Sequence, residues 1–96
     1  MSAPDTVLER RVRIGSKVGL HARPAAMFVE AAGRLASPVT IAKEGGRPLD
    51  ARSILSVLSL DARGGDEVIL TATGDGAAAA LDELSELLAR DLDAEG

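Results

Sequence analysis

Apolar and polar positions alternate along this chain with two different periods, and glycines and prolines mark where the period changes. From Val7 to Ile14, Leu8, Val12 and Ile14 fall on one side and Glu9, Arg11 and Arg13 on the other. A period of two predicts a half-buried strand. Gly15 to Gly19 predicts a loop. Over residues 22–35, Ala25, Phe28, Val29, Ala32 and Leu35 recur three and four apart, which predicts a helix. Glu30 and Arg34 then form an i,i+4 pair on its outer side. Pro24 suits the first turn of that helix, where a missing N–H costs nothing, and Gly33 interrupts near its end. Ser37-Pro38 breaks the pattern, and Val39 to Lys43 predicts a second strand. Glu44-Gly45-Gly46 suits a tight turn into a short third strand over residues 47–50. Residues 53–59 read as a brief apolar helix and Asp66 to Thr73 as a fourth strand. Residues 76–92 form the clearest amphipathic helix, with Leu81, Leu84, Leu88 and Leu92 on one stripe and Ala77, Ala80 and Leu87 beside it.

The resulting order is β-α-β-β-α-β-α. Four strands with helices on one face make an open-faced sandwich of the α+β class, although the order suits a ferredoxin-like core equally. Ninety-six residues are expected to form one domain over 1–96 with a single modest core. Residues 1–6 are small and polar, and a flexible N-terminus is expected there. An apolar content of 46% with 27% charged residues belongs to a folded chain rather than a disordered one. Phe28 is the only aromatic residue, so the core must be aliphatic and no base-stacking platform exists. A net charge of −4 argues against a nucleic-acid partner. With no cysteine and one histidine, disulfides, thiolate zinc sites and catalytic transition-metal centres are not expected, nor is a cofactor. No apolar run has transmembrane length, and Met1 to Asp5 lacks the character of a signal peptide. A cytoplasmic protein without membrane insertion is expected, with a monomer as the default.

The candidate chemistry centres on that histidine, His21, in Gly19-Leu20-His21-Ala22-Arg23-Pro24-Ala25. If Pro24 lies in the first helical turn, His21 sits at the N-cap edge. There, free backbone N–H groups and the positive end of the helix dipole favour an anion. A neutral imidazole is a good nucleophile. A phosphorus–nitrogen bond on it keeps a high transfer potential, because the leaving imidazole can be protonated. Arg23 would supply charge-assisted bonds to phosphoryl oxygens; the ordinary alternatives are a solvated histidine and an exposed cation near a helix start. Gly45-Gly46 and Gly64-Gly65 lack the spacing of an ATP-binding loop and read as turns. In the brief helix, Ile54, Leu55, Val57 and Leu58 cannot all face inward. Ile54, Leu55 and Leu58, with Ala22, Ala26 and Met27, would flank His21 as an apolar docking patch, while core positions for Leu55 and Leu58 stay open. Arg23, Arg34 and Arg52 would form a basic rim for acidic partners. Ser53 heads the brief helix, as an N-cap or as a modification site.

The segment around His21 resembles the active-site motif of the histidine-containing phosphocarrier family, HPr, of the bacterial sugar phosphotransferase system. Ser53-Ile54-Leu55-Ser56-Val57-Leu58-Ser59-Leu60 is similar to the family's second signature, and Gly64-Gly65-Asp66-Glu67-Val68 to its last glycine turn. The resemblance spans nearly the whole chain. It implies the HPr-like open-faced β-sandwich, a four-stranded antiparallel sheet with three helices on one face. It also implies a phosphocarrier rather than an enzyme turning over a small molecule alone. His21 would accept a phosphoryl group through Nδ1 from phospho-enzyme I, assisted by Arg23, and pass it to IIA domains of sugar permeases. Ser53 matches the regulatory serine that an HPr kinase/phosphorylase modifies in Gram-positive relatives; phosphorylated there, the domain would dock onto a transcriptional regulator. The alternatives carried forward are a regulatory binding module acting through Ser53 and a nitrogen-branch paralogue. Glu30 and Ser56 stand where some family members carry lysines, which changes the charge presented to partners.

Overall fold

The computed structural model describes residues 7–91. Its elements are β1 (Val7–Arg13), α1 (Ala22–Gly33), β2 (Val39–Lys43), β3 (Leu49–Asp50), α2 (Ile54–Ser59), β4 (Glu67–Thr73) and α3 (Ala77–Ala89). The strands form one antiparallel sheet in the order β1-β4-β2-β3. β4, last of the strands in sequence, is inserted between the first two, so Val12 lies opposite Val68 and Ile41 opposite Leu70.

Alternation sorts the two faces of the sheet. Val39 and Ile41 of β2, and Val68, Leu70 and Ala72 of β4, are buried on the face that the helices cover. Phe28, Ala25 and Ala32 of α1 and Leu81, Leu84 and Leu88 of α3 complete this core, with Val57 as the single buried residue of α2. Hydroxyls and ion pairs occupy the open face. Thr40 and Thr71 bond to each other across the strands, and Arg11 pairs with Glu44. β1 is an edge strand. Its Arg10 shares the helix-facing side and reaches Asp82 of α3, so its charge stays at the rim.

The predicted element order stands, with boundaries shifted by local chemistry. The third strand shrinks from residues 47–50 to Leu49–Asp50, because Pro48 has no N–H to give a ladder. α1 stops at Gly33 rather than 35, and Leu35 packs against the core from the loop beyond. β1 ends at Arg13, before the predicted Ile14, and β4 begins at Glu67 rather than Asp66. α3 starts after Gly76 and ends at Ala89, where Arg90 turns extended. Leu92 and residues 1–6 lie outside the described residues. No helix among the described residues is long and apolar enough to cross a membrane.

Candidate functional site

Two loops build the site. The 15–21 loop follows β1, and the 60–66 loop joins α2 to β4. They are laced together by backbone bonds: Ile14 N–H to Asp66 O at 2.8 Å, Leu20 N–H to Ala62 O at 2.8 Å and Gly65 N–H to Ile14 O at 2.9 Å. The packing is close enough to dictate two glycines. A Cβ on Gly19, which has φ +78°, would stand 2.2 Å from Ala62 O, and one on Gly64 would stand 2.7 Å from Ser16 O. Backbone cannot yield as a flexible side chain does, so both positions require glycine.

Out of this seam the chain enters α1. His21 is its N-cap residue, with extended φ and ψ of −132° and 166° and no side-chain capping bond. Ala22 has φ +49°, a left-handed conformation that costs a non-glycine residue about 1 kcal/mol. Pro24 is buried in the first turn. No acceptor among the described residues takes the N–H of Ala22 or Arg23, so two unpaired donors follow His21 at the positive end of the helix dipole. The Arg23 side chain is exposed and makes no hydrogen bond or ion pair among the described residues.

The imidazole is 39% exposed, and its Nε2 lies 3.1 Å from Asp61 Oδ1. The other carboxylate oxygen of Asp61, Oδ2, accepts from Arg63 Nη2 at 3.2 Å. Lys43 Nζ donates to the Asp61 carbonyl at 3.1 Å. The Arg63 guanidinium, and after it His21, hold the Asp61 carboxyl below the usual carboxylate range, so it is ionised at neutral pH. A carboxylate only accepts, so Nε2 must carry the proton of this bond. Nδ1 is left as the ring nitrogen without a partner among the described residues. Asp61 follows the C-cap of α2 with φ +51°, at the position where helices usually place glycine. Motif reading missed Asp61, Arg63 and Lys43. The available signal was an aspartate just beyond a short helix, and nothing local tied it to a histidine forty positions earlier.

α2 supplies the remaining candidates. Ser53 is its N-cap, and the hydroxyl accepts from Ser56 N–H at 3.2 Å. Replacing Ser53 by alanine orphans that donor. Ser53→Ala is expected to lower stability by about 1 kcal/mol in urea unfolding; a change under a few tenths would show that the cap contributes nothing. Leu55 is 77% exposed, Ile54 39% and Leu58 36%, which places Leu55 and Leu58 outside the core. Ala22 and Ala26 are exposed on α1, which packs against α2. The apolar set is thus presented to solvent beside the histidine helix. The predicted basic rim is largely neutralised: Arg34 pairs with Glu30 at 3.3 Å and Arg52 with Asp50 at 3.2 Å, leaving Arg23 as the unpaired member. No cavity lies among the described residues, so the site is open surface.

The site is thus one half-exposed imidazole at a helix N-terminus beside an exposed apolar patch on a small α+β domain. The family model for the PTS HPr component phosphorylation site matches residues 8–90. The phosphocarrier protein HPr of Streptomyces coelicolor is 52% identical over 85 residues, covering 88% of this chain and 91% of its own. The HPr-like protein Crh of Bacillus subtilis is 39% identical over 79 residues, covering 82% and 92%. A crystal structure of the phosphocarrier HPr from Bacillus anthracis superposes with a TM-score of 0.82 at 34% identity, covering 88% of this chain and 99% of that one. The chain belongs to the HPr family. It is a phosphocarrier of the phosphotransferase system, and its fold is the open-faced α+β sandwich of that family.

Proposed function

We propose that His21 is the phosphoryl acceptor of this carrier, taking the group on Nδ1 from phospho-enzyme I and handing it to IIA domains of sugar permeases in the cytoplasm. The observation that supports this reading most is the surrounding of the ring. Nδ1 has no partner among the described residues, and the N–H groups of the two residues that follow, Ala22 and Arg23, are unpaired. The Nδ1 lone pair attacks phosphorus as the bond to the donor breaks, and the electron pair leaves with the donor. Two backbone donors and the unpaired Arg23 guanidinium then balance the charge of the phosphoryl oxygens. Open surface keeps these contacts moderate, as a relay requires: a deep cradle would hold the group rather than release it.

The domain, read as one unit over the whole chain, presents Ala22, Ala26, Ile54, Leu55 and Leu58 to each partner in turn. Leu55→Glu places a charge on the most exposed leucine of this patch without touching the core. Its stability is expected to stay within about 0.5 kcal/mol of the parent, while phosphoryl transfer from enzyme I slows by at least about tenfold. An unchanged rate would remove Leu55 from the docking surface.

Ser53 favours a second reading, a regulatory module addressed by an HPr kinase and read by a transcriptional regulator. Ser53 heads the helix that carries Leu55, so a phosphate added there would bring a dianion next to the docking patch. One experiment separates the two. The protein is incubated with enzyme I and phosphoenolpyruvate, or with kinase and ATP, and the phosphoryl group is mapped. An acid-labile group on His21 in the first incubation supports the carrier reading, and its absence overturns it. An acid-stable group on Ser53 in the second supports regulation.

A further inference from the structure

Left-handed backbone conformations occur at two non-glycine residues among the described chain, and both border the imidazole: Ala22 next to it in sequence and Asp61 across from it. Asp61 occupies a helix-terminating position with φ +51°, where glycine is unstrained. An aspartate there carries a backbone penalty. What it gains is a carboxylate with one oxygen 3.1 Å from His21 Nε2 and the other on Arg63.

We infer that Asp61 is a positioning residue for His21: its carboxylate holds the proton on Nε2, aims the Nδ1 lone pair outward and stabilises the positive charge that the ring gains as Nδ1 bonds to phosphorus. The inference rests on the reading of His21 as acceptor. The same division of labour holds wherever a carboxylate fixes the tautomer of a histidine that works through its other nitrogen. No proton leaves the ring in the step. The lone pair of Nδ1 forms the new bond, the donor departs with the old bonding pair, and the Nε2 proton stays hydrogen-bonded to Asp61.

The other charged groups at this place act on Asp61 rather than on the ring, Arg63 through its carboxylate and Lys43 through its main-chain carbonyl. Arg63 binds Oδ2 and keeps Asp61 ionised, and Lys43 fixes its carbonyl at 3.1 Å. Arg63 therefore orients Asp61 and limits its charge towards the ring. Arg23 and Lys17, on the histidine's own side of the seam, make no ion pair among the described residues. The pair is exposed, with side chains 39% and 56% accessible, so its effect is that of a surface ion pair and not of a buried dyad.

Two variants test this. Asp61→Gly suits the positive φ and removes the acceptor, so it folds; Asp61→Asn also tolerates that φ and keeps an acceptor oxygen without the charge. Nitrogen-15 NMR of the ring is read in the unphosphorylated protein, and single-turnover transfer from phospho-enzyme I is timed in parallel. In the parent, the neutral ring is expected almost wholly as the Nε2–H tautomer. In Asp61→Gly the Nδ1–H share rises several-fold, and transfer slows by about three- to fivefold, the scale of an exposed ion pair. Asp61→Asn keeps the parent tautomer and recovers only part of the rate. An Asp61→Gly protein with the parent tautomer balance and the parent rate overturns the inference, even with His21 labelled normally. If His21 takes no label in the parent protein, the acceptor reading fails instead, and the tautomer signal still reports on the Asp61 contact.

Discussion

Replacing His21 by alanine is expected to abolish phosphoryl acceptance while leaving the fold intact. The chain holds no second histidine, so no other imidazole can substitute. The candidate relay chemistry needs a nitrogen nucleophile whose bond to phosphorus stays reactive, and a hydroxyl such as that of Ser53 gives a stable ester instead. His21 contributes little to stability. It is 39% exposed, makes no capping bond to its helix and has Asp61 as its side-chain partner. Losing an exposed pair of this kind costs between about 0 and 1 kcal/mol. Incubation with enzyme I and phosphoenolpyruvate, followed by intact-mass analysis at alkaline pH, checks the first half, and urea unfolding checks the second. An acid-labile phosphoryl group that survives in His21→Ala would move the acceptor elsewhere. A variant that no longer folds would show that the imidazole supports the seam between the two loops.

Phe28→Ala is expected to have the opposite profile, a large loss of stability from a residue that touches no phosphate. Phe28 is fully buried, the largest such side chain, and the only aromatic one in the chain. It shares the core with Ala25, Ala31 and Ala32 of the same helix and with aliphatic residues of the sheet and α3. Small neighbours cannot expand into the space that a ring leaves. Truncations of this type cost about 3–5 kcal/mol, against a total of about 5–15 kcal/mol for a domain. For a domain of this size, each kcal/mol moves the melting temperature by about 4–8 °C. A drop of at least about 12 °C is therefore expected in a calorimetric scan, and one under about 4 °C would mean that the core relaxes around the gap. Since α1 presents His21 at its head, the weakened variant should also lose carrier activity near its new melting point, and regain it on cooling if unfolding is reversible.

Much of this molecule is written in local patterns. Period two marks β1, spacings of three and four mark α1 and α3, and Pro24 after His21 locates a helix start; each needs only neighbours a few positions away to be recognised. The motif around His21 and the helix headed by Ser53 were legible for the same reason. That some of Ile54, Leu55, Val57 and Leu58 must be exposed was legible too, because one turn and a half of helix cannot turn all four inward together; that Leu55 and Leu58 are among the exposed ones came only from the structure. Boundaries shifted where a single residue decided them, as at Pro48 and Gly33, where the backbone's donors or freedom outweigh the pattern.

The sequence by itself determined the order of elements, the histidine at a helix head and the membership that its motifs announce. Tertiary structure alone decided the strand order β1-β4-β2-β3, the seam that demands Gly19 and Gly64, and the pairing of His21 with Asp61. The physical reason is range. Periodicity reports which way a residue faces within its own element, whereas a hydrogen bond between residues forty positions apart exists only once α1, α2 and β4 have packed on a common core and brought their connecting loops side by side.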